Sequence, residues 1–383
     1  MPHRHYAASQ IPNLKNKKKI LVYLFGSLGD SIVAIPALRA VRRHFQEAEI
    51  VLLQNFQTGN IVKASQVIPD ELVDRYLSYN SHLGKIAKLS NFYRLWHMLR
   101  GEQFDAAVYL VISERTKKAV RRDRLFFRSC GIQQLYGFHA FSIEELYPVD
   151  ADRHPAVTEQ EAVRKLRRIA IDGVEFQPNR DLQLPLIKFS PPELGKIDEW
   201  LEPRRKRPFC PLIAIAPGTK GKANAWPLEN FIRLGSLLMV EGNYEIIVVG
   251  GNAEREMGEQ LTSAWNGGIN SAGAFSIRES GALISKCHVH IGLDTGTTHL
   301  AAAAGTRCFV IFGERANPGH WYPLGNGHAV VYHPVECAGC RLQECPIPDH
   351  PCMTGISLES VWRNLRTFLN NSDSDSPVNI ISV

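Results

Sequence analysis

Lys19-Ile20-Leu21-Val22-Tyr23-Leu24-Phe25-Gly26-Ser27-Leu28-Gly29-Asp30 decides how the rest of the chain is read. An unbroken apolar run follows the basic flank Lys17-Lys18 and suits a strand buried on both faces rather than one with a wet side. The two glycines then give a sharp turn and let the backbone approach a ligand closely. From Ser31 to Phe45 the pattern is helical. Strand, tight turn and helix in that order begin a doubly wound α/β unit, and such folds bind ligands outside the carboxyl ends of their strands.

Working outward, Ile50–Leu53 reads as the next strand, Tyr93–Arg100 as the end of a helix, Phe104–Val111 as a buried strand and Lys117–Cys130 as a helix. Prolines and charge then replace periodic apolar residues at Pro185, at Pro191-Pro192 and through Glu202–Pro208, which is where an interdomain linker is expected. The cycle restarts with strand Leu212–Ala216, helix Leu228–Glu241, strand Glu245–Val249, helix Glu254–Ala264, helix Ser276–Lys286, strand Val289–Gly292, helix Thr297–Ala304 and strand Cys308–Phe312. A chain of 383 residues is long enough for two such domains. A last helix is expected near Ser357–Leu369, packing back across the first domain, with a frayed tail from Asn370 to Val383.

Composition narrows the class. The chain is 44% apolar and 21% charged, which fits a globular protein and neither a disordered nor a fibrous one. Its apolar runs fall far short of the ~20 residues of a membrane-crossing helix, and the polar amino terminus from Met1 to Lys19 does not read as a secretion signal. A cytoplasmic protein is therefore expected. A net charge of +6 favours anionic partners such as phosphates, nucleotides or an anionic lipid surface, without calling for nucleic acid. Much of it is concentrated in Arg115, Lys117, Lys118, Arg121, Arg122, Arg124 and Arg128, interrupted by Asp123. That stretch is either a solvated helix face or a docking patch for a phosphorylated or lipid-borne acceptor.

Four loops fall at strand ends and carry polar chemistry. In Gly26-Ser27-Leu28-Gly29-Asp30, the carboxylate at the helix start either caps the helix or faces a ligand. The third glycine of a dinucleotide fingerprint is missing, which weighs against an NAD-dependent oxidoreductase. In Pro217-Gly218-Thr219-Lys220-Gly221-Lys222, followed by Trp226-Pro227, glycines and two lysines suit a diphosphate as well as they suit a solvated loop. After Gly250-Gly251, Glu254 could hold ribose hydroxyls or simply complement a helix dipole. In Asp294-Thr295-Gly296-Thr297-Thr298-His299, hydroxyls and free amides gather at one helix amino terminus ahead of an alanine-rich helix, an anion site rather than a cap alone.

In this order the loops resemble glycosyltransferase family nine, the ADP-heptose:lipopolysaccharide heptosyltransferases. The resemblance runs from Ile20–Arg43 with Pro36-Ala37-Leu38-Arg39, through Pro217-Gly218, Trp226-Pro227, Gly250-Gly251 with Glu254, and Asp294-Thr295-Gly296 with His299-Leu300-Ala301, to Phe312-Gly313 and Pro323. It implies the GT-B architecture, two Rossmann-like doubly wound domains facing across a cleft. Residues 1–190 would bind the acceptor, 191–356 would bind the nucleotide sugar, and 357–383 would hold the last helix and tail. It also implies inversion at the anomeric carbon with no cofactor or catalytic metal, ADP-heptose as donor and the lipopolysaccharide core as acceptor, at the inner face of the cytoplasmic membrane. Asp30 would be the general base. Gly29, Thr219, Lys220, Lys222, Glu254, Asp294, Thr295, Gly296, Thr297 and His299 would hold the donor. Family members commonly carry a lysine just before Trp-Pro, whereas here Asn224 and Ala225 stand there, so Lys220 or Lys222 would take over.

Cys337, Cys340, Cys345 and Cys352 have spacings compatible with a four-thiolate structural metal, with free thiols or an adventitious disulfide as the alternatives. Competing functions are a transferase of another nucleotide sugar or acceptor, and a nucleotide-sugar-binding protein without catalysis.

Overall fold

The computed structural model describes residues 17–56, 62–80, 85–151, 154–371 and 376–383. Most of the polar amino terminus considered above lies outside them. Two parallel sheets form the frame. The first has β1 (Lys19–Leu24), β2 (Glu49–Phe56), β3 (Arg75–Asn80), β4 (Ala106–Tyr109) and β5 (Gln134–Tyr136) in the order β3-β2-β1-β4-β5. The second has β6 (Leu212–Ala216), β7 (Glu245–Val248), β8 (Ile269–Asn270), β9 (Val289–Leu293), β10 (Arg307–Ile311), β11 (Ala329–Tyr332) and β12 (Asn379–Ser382) in the order β12-β11-β10-β9-β6-β7-β8.

β1 is central to its sheet and buried on both faces, as its unbroken apolar run requires. Ile20, Val22 and Leu24 face a core shared with Leu38 and Val41, while Leu21 and Tyr23 face another with Leu99 and Phe127. The first of these cores continues into Leu212, Leu300 and Val310, so one apolar mass joins the two domains. The opposite face of the second sheet packs Ile213, Ile215 and Ile291 against Phe231 and Leu234.

Three expectations are corrected. The helix expected over Ser31–Phe45 is two helices, Leu28–Ile32 and Ile35–His44, because Pro36 has no N–H to bond back one turn and instead sits in the first turn of the second. The last helix, Leu358–Asn370, packs on the second domain: Val361, Leu365 and Phe368 join the core containing Phe231 and Phe309. The tail is not frayed at its end, since β12 pairs in parallel with β11 from Asn379 to Ser382, an edge strand that half-buries Ile381. The chain crosses between sheets where the Leu186 and Ile187 amides bond to Ala303 carbonyl at 2.8 and 3.0 Å. There Arg39 donates to the carbonyls of Gln183 at 2.6 Å and Pro185 at 3.2 Å, fastening the crossing to the first domain.

Candidate active site

The β1 turn and the β9 turn meet head to head. A Cβ on Gly29 would lie 3.1 Å from the His299 ring, and one on Gly296 would lie 3.0 Å from Leu28 Cβ, so glycines are what let the two helix starts approach. Gly26 has φ +136°, and a Cβ there would sit 2.2 Å from Cγ of Asp30. That glycine makes room for the carboxylate.

Asp30 both caps and faces the cleft. Its Oδ2 accepts from the Ser27 amide at 2.7 Å and from Ser27 Oγ at 3.2 Å, whereas Oδ1 accepts no hydrogen bond among the described residues. It lines a cavity of about 490 Å³ together with Gly29, Asp294, Gly296, His299 and Trp321. A neighbouring cavity of about 280 Å³ is walled by Gly218, Thr219, Gly250, Glu254, Thr295 and Thr297. Ser27, Lys220, Thr295 and Gly296 line both, so the two cavities are halves of one interdomain cleft.

Local contacts place the residues around the smaller cavity. Glu254 accepts from the Gly251 amide at 2.7 Å, and a Cβ on Gly218 would collide with its Cγ at 2.3 Å. Thr295 precedes the helix Gly296–Ala303, and its buried Oγ1 has no hydrogen-bond partner among the described residues, a polar atom for which a ligand is the natural complement. Lys220 is exposed and lies at the junction of the cavities. Lys222 is elsewhere: it reaches Glu344 at 3.2 Å in an exposed ion pair and lines neither cavity. Asn224 is buried, and its amide approaches Asp294 Oδ2 at 3.4 Å.

Burial sets the protonation of the site. It raises the Asp30 carboxyl, with Lys165 as the main opposing charge and the Ser27 amide next. Burial also pushes Asp294 up to about 6, against Arg315, Asn224 and His320, and pushes His299 down to about 4, with the His320 charge adding to it. His299 is therefore a neutral ring at physiological pH. It can hydrogen-bond a phosphate or sugar without supplying charge.

The sequence reading did not single out Lys165, Glu161 and His320, which lie beneath this cleft. The helix Glu161–Ala170 puts Glu161 and Lys165 one turn apart, fully buried, with Nζ 3.1 Å from Oε1 and donating to Leu110 carbonyl at 2.7 Å. Glu161 also accepts from Ser113 N at 2.9 Å and Ser113 Oγ at 2.5 Å, and pairs with His320 of the second domain at 2.9 Å. Against the cost of burial, Lys165 and then His320 hold the Glu161 carboxyl well below the usual range. The signal was available as the spacing 161, 164, 165, 168, which puts four charges on one helix face, but such a stripe ordinarily faces water. Arg315 and Arg341 also line the cleft, and Arg341 bridges to the first domain, 3.8 Å from Glu114 and 3.5 Å above the Tyr147 ring.

Cys337, Cys340, Cys345 and Cys352 do line one small cavity with Glu314, and all are free thiols. Among the described residues, however, no group of three or more His, Cys, Asp or Glu side chains is arranged to hold a metal ion.

Two parallel-sheet Rossmann-like domains that bring a carboxylate from one against an open helix start from the other make up the GT-B architecture. Residues 92–350 match the model of glycosyltransferase family 9 (heptosyltransferase), and the chain belongs to that family. It is similar to lipooligosaccharide heptosyltransferase 2 of Campylobacter jejuni, 24% identical over 92% of this chain and 99% of the relative. Lipopolysaccharide heptosyltransferase 2 of Salmonella typhimurium is 29% identical over a shorter stretch, 42% of this chain and 47% of that one. Among solved structures, a family 9 glycosyl transferase from Veillonella parvula superposes with a TM-score of 0.70 at 18% identity, covering 93% of this chain and 98% of that one. The ADP-heptose heptosyltransferase II of E. coli gives 0.61, also at 18%, over 92% and 98%. No helix among the described residues is long and apolar enough to cross a membrane.

Proposed function

We propose that this protein transfers a heptose from ADP-heptose to a hydroxyl of the lipopolysaccharide inner core, with inversion, without a catalytic metal, on the cytoplasmic side of the membrane. The nucleotide lies in the smaller cavity, its ribose against Glu254 and its diphosphate against Thr219, Lys220 and the amides of Thr295 to Thr297. Gly29, Asp294 and His299 border the sugar where the two cavities join. The acceptor enters the larger cavity. Asp30 takes the proton of the attacking hydroxyl, whose oxygen forms the new bond to the anomeric carbon as the bond to the diphosphate breaks on the opposite face. Negative charge growing on the leaving diphosphate meets Lys220 and the helix start.

The observation that carries this reading is that Asp30 and the 294–299 turn line one cavity while Asp30 Oδ1 remains unbonded. Its raised carboxyl suits a base, since proton affinity grows as solvation is lost. The test is Asp30→Asn with ADP-heptose and deacylated core acceptor. Donor affinity by calorimetry should stay within a few-fold while turnover falls by about 10²–10⁴. Unchanged turnover would end the assignment of Asp30, and tight NAD binding without ADP-sugar binding would end the transferase reading. A panel of ADP-, UDP- and GDP-sugars fixes the donor.

A further inference from the structure

A cavity of about 590 Å³ lies outside the cleft. It opens in the first domain between the helices Lys85–Glu102 and Lys117–Ser129, walled by Tyr23, Phe25, Tyr79, Phe92, Leu125 and Phe126. Its volume is that of a small-molecule site. The hydroxyls near its floor are already engaged: those of Tyr23 and Tyr79 meet at 2.5 Å, and that of Tyr109 donates to Asp123 at 2.8 Å. Asp123 is also held by Arg115 and Arg122, at 3.2 and 2.7 Å. With most of its polar groups consumed by one another, the cavity offers an incoming molecule chiefly carbon.

The mouth is different. Phe92 and Leu125 are 53% and 59% exposed there, and Tyr93 beside them is 62% exposed. On the same helix as Leu125, Lys117, Lys118, Arg121, Arg124 and Arg128 are exposed and form no ion pair among the described residues. Arg121 and Arg128 stand one turn on either side of Leu125, so apolar and cationic groups share a face. An apolar hole rimmed by exposed aromatics and uncompensated cations is complementary to an amphiphile with a hydrocarbon tail and an anionic head. The wall between this cavity and the cleft is thin: Ile112 and Glu114 line the cleft, and Arg115 lines the cavity.

We propose that this cavity takes an acyl chain of an anionic membrane phospholipid, seating the enzyme on the bilayer with the cleft entrance beside the headgroups. The inference does not depend on which sugar is transferred. It is tested by sedimentation of the full chain with phosphatidylglycerol vesicles and phosphatidylcholine vesicles. Wild type should bind the former at least about tenfold more tightly. Arg121→Glu with Arg124→Glu, and separately Phe92→Ser with Leu125→Ser, should each remove most of that binding, while turnover of a deacylated soluble acceptor stays as in wild type. Trp96, whose Nε1 donates to the Ser129 carbonyl at 3.1 Å on the cavity wall, reports on the chain itself. Bromine on the lipid acyl chain should quench a fluorescence component that Trp96→Phe lacks. Equal binding to neutral vesicles, vesicle binding that is unchanged in Phe92→Ser/Leu125→Ser, or bound protein with Trp96 unquenched would each overturn the proposal.

Discussion

Lys165 is expected to set the working pH of Asp30 from below the cleft. Removing the ammonium as Lys165→Met leaves Glu161 buried with one cation fewer, which typically costs ~3–5 kcal/mol of stability. The informative variant is therefore Lys165→Met with Glu161→Gln, which deletes both charges and keeps the local balance. At Asp30 the two act in opposite senses, Lys165 lowering the carboxyl and Glu161 raising it, and Lys165 is the larger. Their joint loss thus raises Asp30 further. An opposite charge nearby favours the ionised carboxylate, so its loss moves Asp30 upward even after the Glu161 offset. If Asp30 acts as the base it must be ionised, so activity falls as pH drops through its folded pKa, and the acid limb of the kcat/KM profile should move upward. Below that limb the variant loses activity relative to wild type, and in alkaline buffer it recovers. An unmoved acid limb, or a deficit equal at every pH in a variant with native circular dichroism, would refute the argument and leave Lys165 as scaffolding.

Two other perturbations test the surroundings. Burial pushes Glu314 up to about 7 from an ordinary 4.5, and its Oε1 has no hydrogen-bond partner among the described residues. A raised carboxyl contributes stability below its unfolded pKa and loses it as pH rises through the folded one. Glu314→Gln should therefore raise the denaturation free energy at pH ~8, by up to about 3 kcal/mol, and leave it unchanged near pH ~4.5; equal effects at both would contradict the buried charge. Lys220→Ala should raise the donor Kd by about ten- to a hundredfold through loss of a charge-assisted contact. Lys222→Ala, which loses only the exposed pair with Glu344, should change it less than about twofold, and the reverse ranking in calorimetry would reassign the phosphate-binding lysine.

The strands that could be read from the chain are the ones buried on both faces. β1, β6, β7 and β10 carry apolar runs because they are buried within their sheets, as is β9 despite His290, and such runs need no tertiary knowledge to find. β3, β5, β8 and β12 escaped because they lie at sheet edges, where one flank is wet: Arg75–Asn80 is half-exposed and polar, and Asn379–Ser382 has a largely exposed pattern; β11, though apolar and largely buried, was missed as well. The edge segments become strands by pairing with β2, β4, β7 and β11, information that sits in the partner rather than in the segment. The direction of the last helix was hidden for a related reason. Its apolar face at Val361, Leu365 and Phe368 announces that it packs, but not on which domain.

The site divides along the same physical line. Gly26, Gly29 and Gly296 were legible because a tight backbone approach has no substitute for glycine, and the open helix start after Asp294 was legible because so many polar residues between a buried strand and an alanine helix need a purpose. Glu161, Lys165 and His320 were not, since a charged stripe at helical spacing looks the same whether it meets water or its own counterions across a domain boundary. In the folded protein the stripe lies inward because each charge finds a partner there: Lys165 on Glu161 and the Leu110 carbonyl, Arg168 on the Val111 carbonyl at 2.6 Å, Glu161 on Ser113 and His320. Removing one partner from such a set costs more than the set contributes as a whole, so its retention under the cleft is better explained by what it does to its neighbours than by stability. Glu161 ties the first domain to the 313–323 loop of the second through His320, the same loop that carries Arg315 and Trp321 into the cleft. One network thus both biases the proton on Asp30 and fixes the second domain's loop against the first.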